Sequence, residues 1–280
     1  MTSEISQPSL KVYEPPLKGL PQIDWHELWT YRELLFFLTW RDVMVRYKQA
    51  ALGVAWAVIQ PLMTMVIFSV IFGKLAMLPS DNLPYPVFSF AALLPWQLFS
   101  GALSRAGASL VNNSNLLTKV YFPRLIIPLS AVAAGLVDFG ISLFVLLGLM
   151  LFYRIPFTWN ILTLPLMMLL ALLTALAAGL WLSALNVQYR DVQHIIPFLI
   201  QAWMYASPVA YSATLIPEGP WRLVYGLNPL VGVIQGFRWA LLGTQPPDAM
   251  SLVSVIAVLV LLVSGLFYFQ HMEETFADVV

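Results

Sequence analysis

The chain contains no cysteine, which excludes disulfides, thiolate metal centres and cysteine nucleophiles together. Charge is scarce as well. Only 10% of residues are charged, against about a quarter in soluble domains, whose surfaces must meet water. Neither sign prevails, with 14 basic and 14 acidic residues, so the balance suggests no nucleic acid or other polyanion as partner. The three histidines, His26, His194 and His271, are too scattered to form a metal site from neighbouring sequence. Also missing are a G-x-x-x-x-G-K-[ST] phosphate loop, a G-x-S-x-G elbow, an H-E-x-x-H pair and closely spaced carboxylates within an apolar run. No catalytic constellation and no metal or nucleotide site is therefore expected in this chain. Residues 1–24 are polar and Pro-rich without an early apolar core, and read as a polar tail, not a signal peptide.

What is abundant is apolar surface, at 60% of 280 residues. A membrane helix needs roughly 20 apolar residues to cross a hydrocarbon core of about 30 Å. Six stretches qualify: Ala50–Phe72, Val87–Val111, Ile126–Phe152, Ile161–Leu185, Ile195–Ile216 and Leu252–Phe269. The expected fold is thus all-α and integral to the membrane, with a six-span domain over residues 50–280. Basic residues set the orientation, because short cytoplasmic loops hold the excess. With the N-terminus inside, the cytoplasmic segments hold Lys11, Lys18, Arg32, Arg41, Arg46, Lys48, Lys119, Arg124 and Arg190. The far side holds Lys74, Arg154, Arg222 and Arg238. Both termini are expected in the cytoplasm.

Three segments depart from a plain succession of spans and loops. Over residues 25–49, Phe36, Trp40, Val43 and Tyr47 share one helical stripe opposite Arg41, Asp42 and Lys48. That pattern predicts a helix lying in the cytoplasmic interface or a plain helical lead-in to the first span. Leu34, Leu38 and Val45 fall on its polar side, where they can contact protein instead. In the loop Asn112–Arg124, Asn and Ser supply N-caps, Leu116–Tyr121 can form a short helix and Pro123 ends it. This makes a rigid cytoplasmic knob or an ordinary polar turn. On the external side, residues 217–245 contain a short helix at Trp221–Tyr225, a break at Asn228-Pro229, and a second helix over Leu230–Leu242. About 13 residues are too few to cross, so the segment reads as a re-entrant or interfacial hairpin. Gly232 and Gly236 have the GxxxG spacing that permits close helix approach.

Arg105 and Asp138 are the costly residues within spans. Intramembrane ions usually have partners, and these two, both toward the cytoplasmic half, either pair with each other or serve transport. Trp96, Phe99, Trp203, Tyr205 and Tyr211 lie where the second and fifth spans approach the external side. They form either an interfacial aromatic belt or a lining on which sugar rings stack. Pro61, Pro95, Pro197 and Pro208 stand within spans and imply kinks or freed carbonyls.

Several segments together resemble the permease subunits of ABC-2 exporters, specifically those for O-antigen, capsule or teichoic-acid polymers. They are Trp40–Gln49 running into Leu52–Trp56 and Gln60-Pro61, then Asn112–Arg124, Asn186–Asp191, Ala206–Pro208, and Asn228-Pro229 followed by Phe237–Trp239. The match covers nearly everything from about residue 30 onward. The resemblance implies a homodimeric channel in a bacterial inner membrane, with two ATP-binding cassette subunits on the cytoplasmic face. ATP and Mg would be bound by that partner, and the cargo would be undecaprenyl-diphosphate-linked polysaccharide. It further implies coupling roles for Arg41, Asp42, Arg46, Asn112, Asn113, Ser114, Asn115, Leu116, Lys119 and Tyr121. Phe68 and Phe72 join the five aromatics above as channel candidates, and Asn228, Pro229 and Arg238 fall in the gate hairpin. Competing readings are an ABC-2 permease for a lipid or small hydrophobic drug, and an intramembrane transferase of polymer assembly.

Overall fold

In hydrocarbon, each backbone N–H and C=O must find its partner within the protein, which leaves an unclosed chain only the helix. All regular structure among the described residues is accordingly helical. The structure, a computed structural model, describes residues 24–48, 53, 55–273 and 276. The expected polar tail, the first residues of the first span and part of the Leu52–Trp56 segment lie outside them.

Helix α1 (Trp25–Thr30) is capped by the Asp24 carboxylate, which accepts from the His26 and Glu27 amides at 2.9 Å. α2 (Arg32–Lys48) follows directly. α3 (Ala55–Phe68) continues into a π-helical stretch, Ser69–Leu75. α4 (Tyr85–Asn112) meets the short α5 (Ser114–Lys119) at Asn113. α6 (Ile126–Ala133) and α7 (Gly135–Phe152) join through Ala134, and α8 (Leu164–Gln188) is preceded by a 3-10 turn at Trp159–Thr163. The rest comprises α9 (Val192–Ala206), α10 (Pro220–Gly226), α11 (Pro229–Leu242) and α12 (Ala249–Glu273).

Five of these runs are long and apolar enough to cross a membrane: Ala55–Leu75, Tyr85–Asn112, Ile126–Phe152, Trp159–Gln188 and Ala249–Glu273. The stretch expected as a further span, Ile195–Ile216, folds differently. α9 has only 15 residues, about 22 Å at 1.5 Å per residue. It stops because Pro208 disfavours helical geometry at Ser207, which is extended at φ −108° and ψ 150°. Beyond it the chain turns through Val209 to a short 3-10 turn at Ala213–Leu215.

α4 is the central pole. Of its most apolar window 78% is buried, against 17–28% in the other four candidate spans. It packs on α8, α6, α7, α11 and α3. Lipid tails are as apolar as leucine, so close contact between helices must come from small side chains and hydrogen bonds. Both occur at the α4–α8 contact. A Cβ added at Gly179 would lie 2.8 Å from the Ala106 methyl, and the Asn186 amide donates to the Gly107 carbonyl at 3.0 Å.

α2 is seated on the bundle through a second cluster, in which its Leu38 joins Leu117, Phe122, Ile126, Ile127 and Phe269. Burial on α2 bears out the protein contact expected of Leu34 and Leu38, but not that of Val45, which is exposed. Leu38 and Val43 are buried, whereas Phe36 (71%) and Trp40 (52%) are exposed. Leu34 and Leu38, on the side read as polar, pack into that cluster together with Leu28, Tyr31 and Leu35. Tertiary contact with α6, absent from a single-helix pattern, decides the orientation.

Candidate functional site

Where α2 leads toward α3, a cleft of about 530 Å³ enters the bundle. α2 supplies Arg46 and Tyr47, α3 supplies Trp56, Gln60 and Pro61, α4 supplies Gln97, Ser100 and Arg105, and α7 supplies Asp138 and Ser142. Its volume is in the range of a small-molecule or cofactor site. Arg46 and Tyr47 of α2 and Arg105 of α4 converge on one carboxylate, Asp138 of α7.

The Asp138 carboxylate accepts from Arg46 Nη1 and from the Tyr47 hydroxyl. Arg105 Nη1 stands 4.0 Å from the same Oδ2, an ion pair without a hydrogen bond. Arg105 uses its Nε on the Ala131 carbonyl, at 3.1 Å. Room for its guanidinium comes from two glycines. A Cβ on Gly135 would lie 2.6 Å from Nη2, and one on Gly101 3.0 Å from Nη1. The Arg105–Asp138 pairing expected from sequence is thus present as the weaker half of a cluster dominated by α2. Arg46 and Tyr47 precede the first span by only a few residues, and no local pattern points them inward.

Arg41 and Asp42 lie on the same helix, beside the α4–α5 corner. Arg41 donates to the Asp42 carboxylate at 2.8 and 3.1 Å and to Asn113 Oδ1 at 2.9 Å. Asn113 in turn donates to the Ser109 carbonyl at 2.8 Å. Asn113 therefore occupies the N-cap position of α5 without capping it by its side chain, because its oxygen is engaged by Arg41. Leu117 and Phe122 anchor the corner in the core, and Asn112, Asn115, Lys119 and Tyr121 face outward. Ser114 and Leu116 are half-buried between them. The helix begins at Ser114, two residues earlier than the sequence suggests.

At the opposite end of the bundle the hairpin α10–α11 is tied down by two residues. Asn228 Oδ1 caps α11 through the Leu230 amide at 3.1 Å and accepts from the Trp203 indole at 2.9 Å. Its Nδ2 donates to the Ala206 carbonyl and the Ser207 hydroxyl, both at 3.0 Å. Pro229 occupies the first helical turn, where a missing N–H costs nothing. Arg238 is buried and donates to the carbonyls of Val209 (3.0 Å), Tyr211 (3.1 Å) and Phe88 (3.4 Å). Its guanidinium lies 3.6 Å over the Phe88 ring. Tyr211 and Tyr225 share a hydroxyl contact of 2.8 Å. Burial, and then that contact, pushes the Tyr225 phenol well above its usual range. The GxxxG glycines do not form one seam: Gly232 faces Ser251 and Ser254 of α12, and Gly236 faces Met167 of α8.

The aromatic candidates fall into separate environments. Phe68, Trp96 and Phe99 are buried. Phe99 meets Trp203 edge-on at 5.1 Å and Trp96 at 5.8 Å, and Phe68 meets Phe72 at 5.2 Å. Phe72, Trp203 and Tyr211 are half-buried and Tyr205 is exposed. Trp96, Phe99 and Trp203 thus form one contact cluster, and Phe68 and Phe72 another.

Spanning helices around a buried pole, with a charged cleft cut into one end and a pinned short-helix hairpin at the other, define a multi-pass α-helical membrane protein. Comparison with known proteins takes the class further. Residues 33–242 match the family model described as ABC-2 type transporter, and the chain belongs to that family. An O-antigen export system permease protein of Myxococcus xanthus is 34% identical over 255 residues, covering 90% of this chain and 97% of the relative. One of the same description from Klebsiella pneumoniae is 29% identical over 253 residues, covering 88% and 95%. A polysialic acid transport protein of Escherichia coli is 25% identical over 249 residues, covering 84% and 91%.

Proposed function

We propose that the chain is the permease subunit of an ATP-driven exporter that moves lipid-linked polysaccharide, an O-antigen-like polymer on undecaprenyl diphosphate, out of the cytoplasm. The observation that carries this reading is the end-to-end likeness, at 34% identity, to a permease described as serving O-antigen export. Two copies form the channel, and two ATP-binding subunits, which hold ATP and Mg, dock beside α2 and the α4–α5 corner. There Arg41, Asp42, Arg46 and the Asn112–Tyr121 residues transmit the motion of the ATPase. Asn228, Pro229 and Arg238 hold the external hairpin as a gate. Aromatic side chains suit a polymer that slides, because stacking tolerates changes of register. Both termini lie in the cytoplasm and the membrane is the bacterial inner membrane.

Depletion of the protein followed by fractionation of lipid-linked polysaccharide tests the reading. Finished polymer accumulating on the cytoplasmic side is the expected result. Polymer that is never completed would move the chain to synthesis. Normal surface polymer would mean a different cargo, such as a lipid or a small hydrophobic molecule.

A further inference from the structure

The cleft between α2, α3, α4 and α7 has a surplus of positive charge. Its lining holds two guanidiniums, Arg46 and Arg105, and one carboxylate, Asp138. Within a low-dielectric bundle an unmatched cation is costly, and this one is arranged to remain reachable. The side chains of Arg46, Arg105 and Asp138 are 30%, 25% and 33% exposed, and all three line the cleft. Among the described residues, Arg105 hydrogen-bonds only through Nε. Its two terminal nitrogens sit in the slot left by Gly101 and Gly135, too far from Asp138 for a hydrogen bond. One edge of the cleft is α3, whose Trp56, Met63, Val66 and Ile67 form an exposed apolar face along which an acyl or prenyl chain can lie.

We infer that the cleft is the seat of a diphosphate lipid headgroup, and that Asp138 is its built-in competitor. Asp138 holds Arg46, and through it α2, while the site is empty. A headgroup with two or more negative charges displaces the carboxylate, takes both guanidiniums in bidentate fashion and releases α2 from α7. Because α2 also holds the α4–α5 corner through Arg41 and Asn113, loading of the cleft is sensed at the surface where the ATPase is proposed to dock. The assignment rests on the export reading above and names where its cargo is recognised.

The test uses the full chain in phosphatidylcholine nanodiscs, titrated with undecaprenyl diphosphate and followed by native mass spectrometry. No ATPase or polymer is needed, so the outcome is separate from that of the depletion experiment. Arg46→Gln and Arg105→Gln are expected to weaken binding on the order of tenfold each. Asp138→Asn is expected to tighten it by a similar factor, because the competitor loses its charge. A purely structural cluster gives the opposite sign, and weaker binding by Asp138→Asn at an unchanged melting temperature would overturn the proposal. Should that variant fail to fold, Tyr47→Phe, which frees the carboxylate from one donor, is expected to weaken binding as Asp138 turns more fully onto the arginines. Unchanged or tighter binding there overturns the proposal equally. Inorganic pyrophosphate binding as tightly as the lipid would overturn the lipid assignment. So would equal competition by phosphatidylglycerol, which would make the site one for bulk anionic lipid.

Discussion

Asn228 makes four hydrogen bonds from one amide, and its replacement gives the sharpest test of the external hairpin. Asn228→Ala removes the cap on the Leu230 amide, worth about 1 kcal/mol. It also strands the Trp203 indole N–H and the Ala206 carbonyl, at about 1–3 kcal/mol each where water cannot reach them. Asn228 itself is half-buried, so some of that loss is recovered by solvent, and a net cost of about 2–4 kcal/mol is expected. For a chain of this size the melting temperature should fall by roughly 5–15 °C. The assay is thermal unfolding of purified protein in nanodiscs at one fixed scan rate, because irreversible melts depend on rate. Trp203→Phe should reproduce part of the loss. The double variant should fall short of the sum by about 1 kcal/mol, since both changes break the same indole contact. A variant melting within about 1 °C of the parent would refute the pinning of α11 to the end of α9.

Three further outcomes follow from the same geometry. Gly179→Ala should cost about 1–3 kcal/mol by crowding Ala106, seen as lower folded yield on size exclusion, and Ala106→Gly should restore it. Arg238→Lys should destabilise the hairpin nearly as much as Arg238→Met, by about 2–4 kcal/mol in a thermal melt, because one ammonium cannot serve three carbonyls and the Phe88 face together. Arg41→Ala should change the melt by no more than about 1 kcal/mol, since its partners are half-exposed, yet lower several-fold the ATPase activity of the complex reconstituted with its cassette subunit.

Much of the bundle was legible in one dimension. The runs at Val87–Val111, Ile126–Phe152, Ile161–Leu185 and Leu252–Phe269 fall within spanning helices, because a run of apolar side chains long enough for hydrocarbon is a local property. The break at Asn228-Pro229 was equally plain, since capping and the missing proline N–H act within a few residues. Pro208 is visible too, but hydropathy does not show that a helix ends before it. Hydropathy continues across it, whereas the backbone at Ser207 does not, and α9 ends there.

What the sequence by itself determined is therefore the solvent of the protein, its helical character, its punctuation and the costly ions Arg105 and Asp138. Only the tertiary structure decided how these meet. It placed α4 at the centre through small residues facing α8, turned Leu38 inward and Trp40 outward on α2, and divided Gly232 and Gly236 between two neighbours. It gave Asp138 to Arg46 and Tyr47, about ninety residues away, ahead of Arg105. The physical reason is common to all four. Hydrophobicity and capping are written into neighbouring residues, but the rotation of a helix and the partner of a buried charge are set by whichever distant surface packs against it.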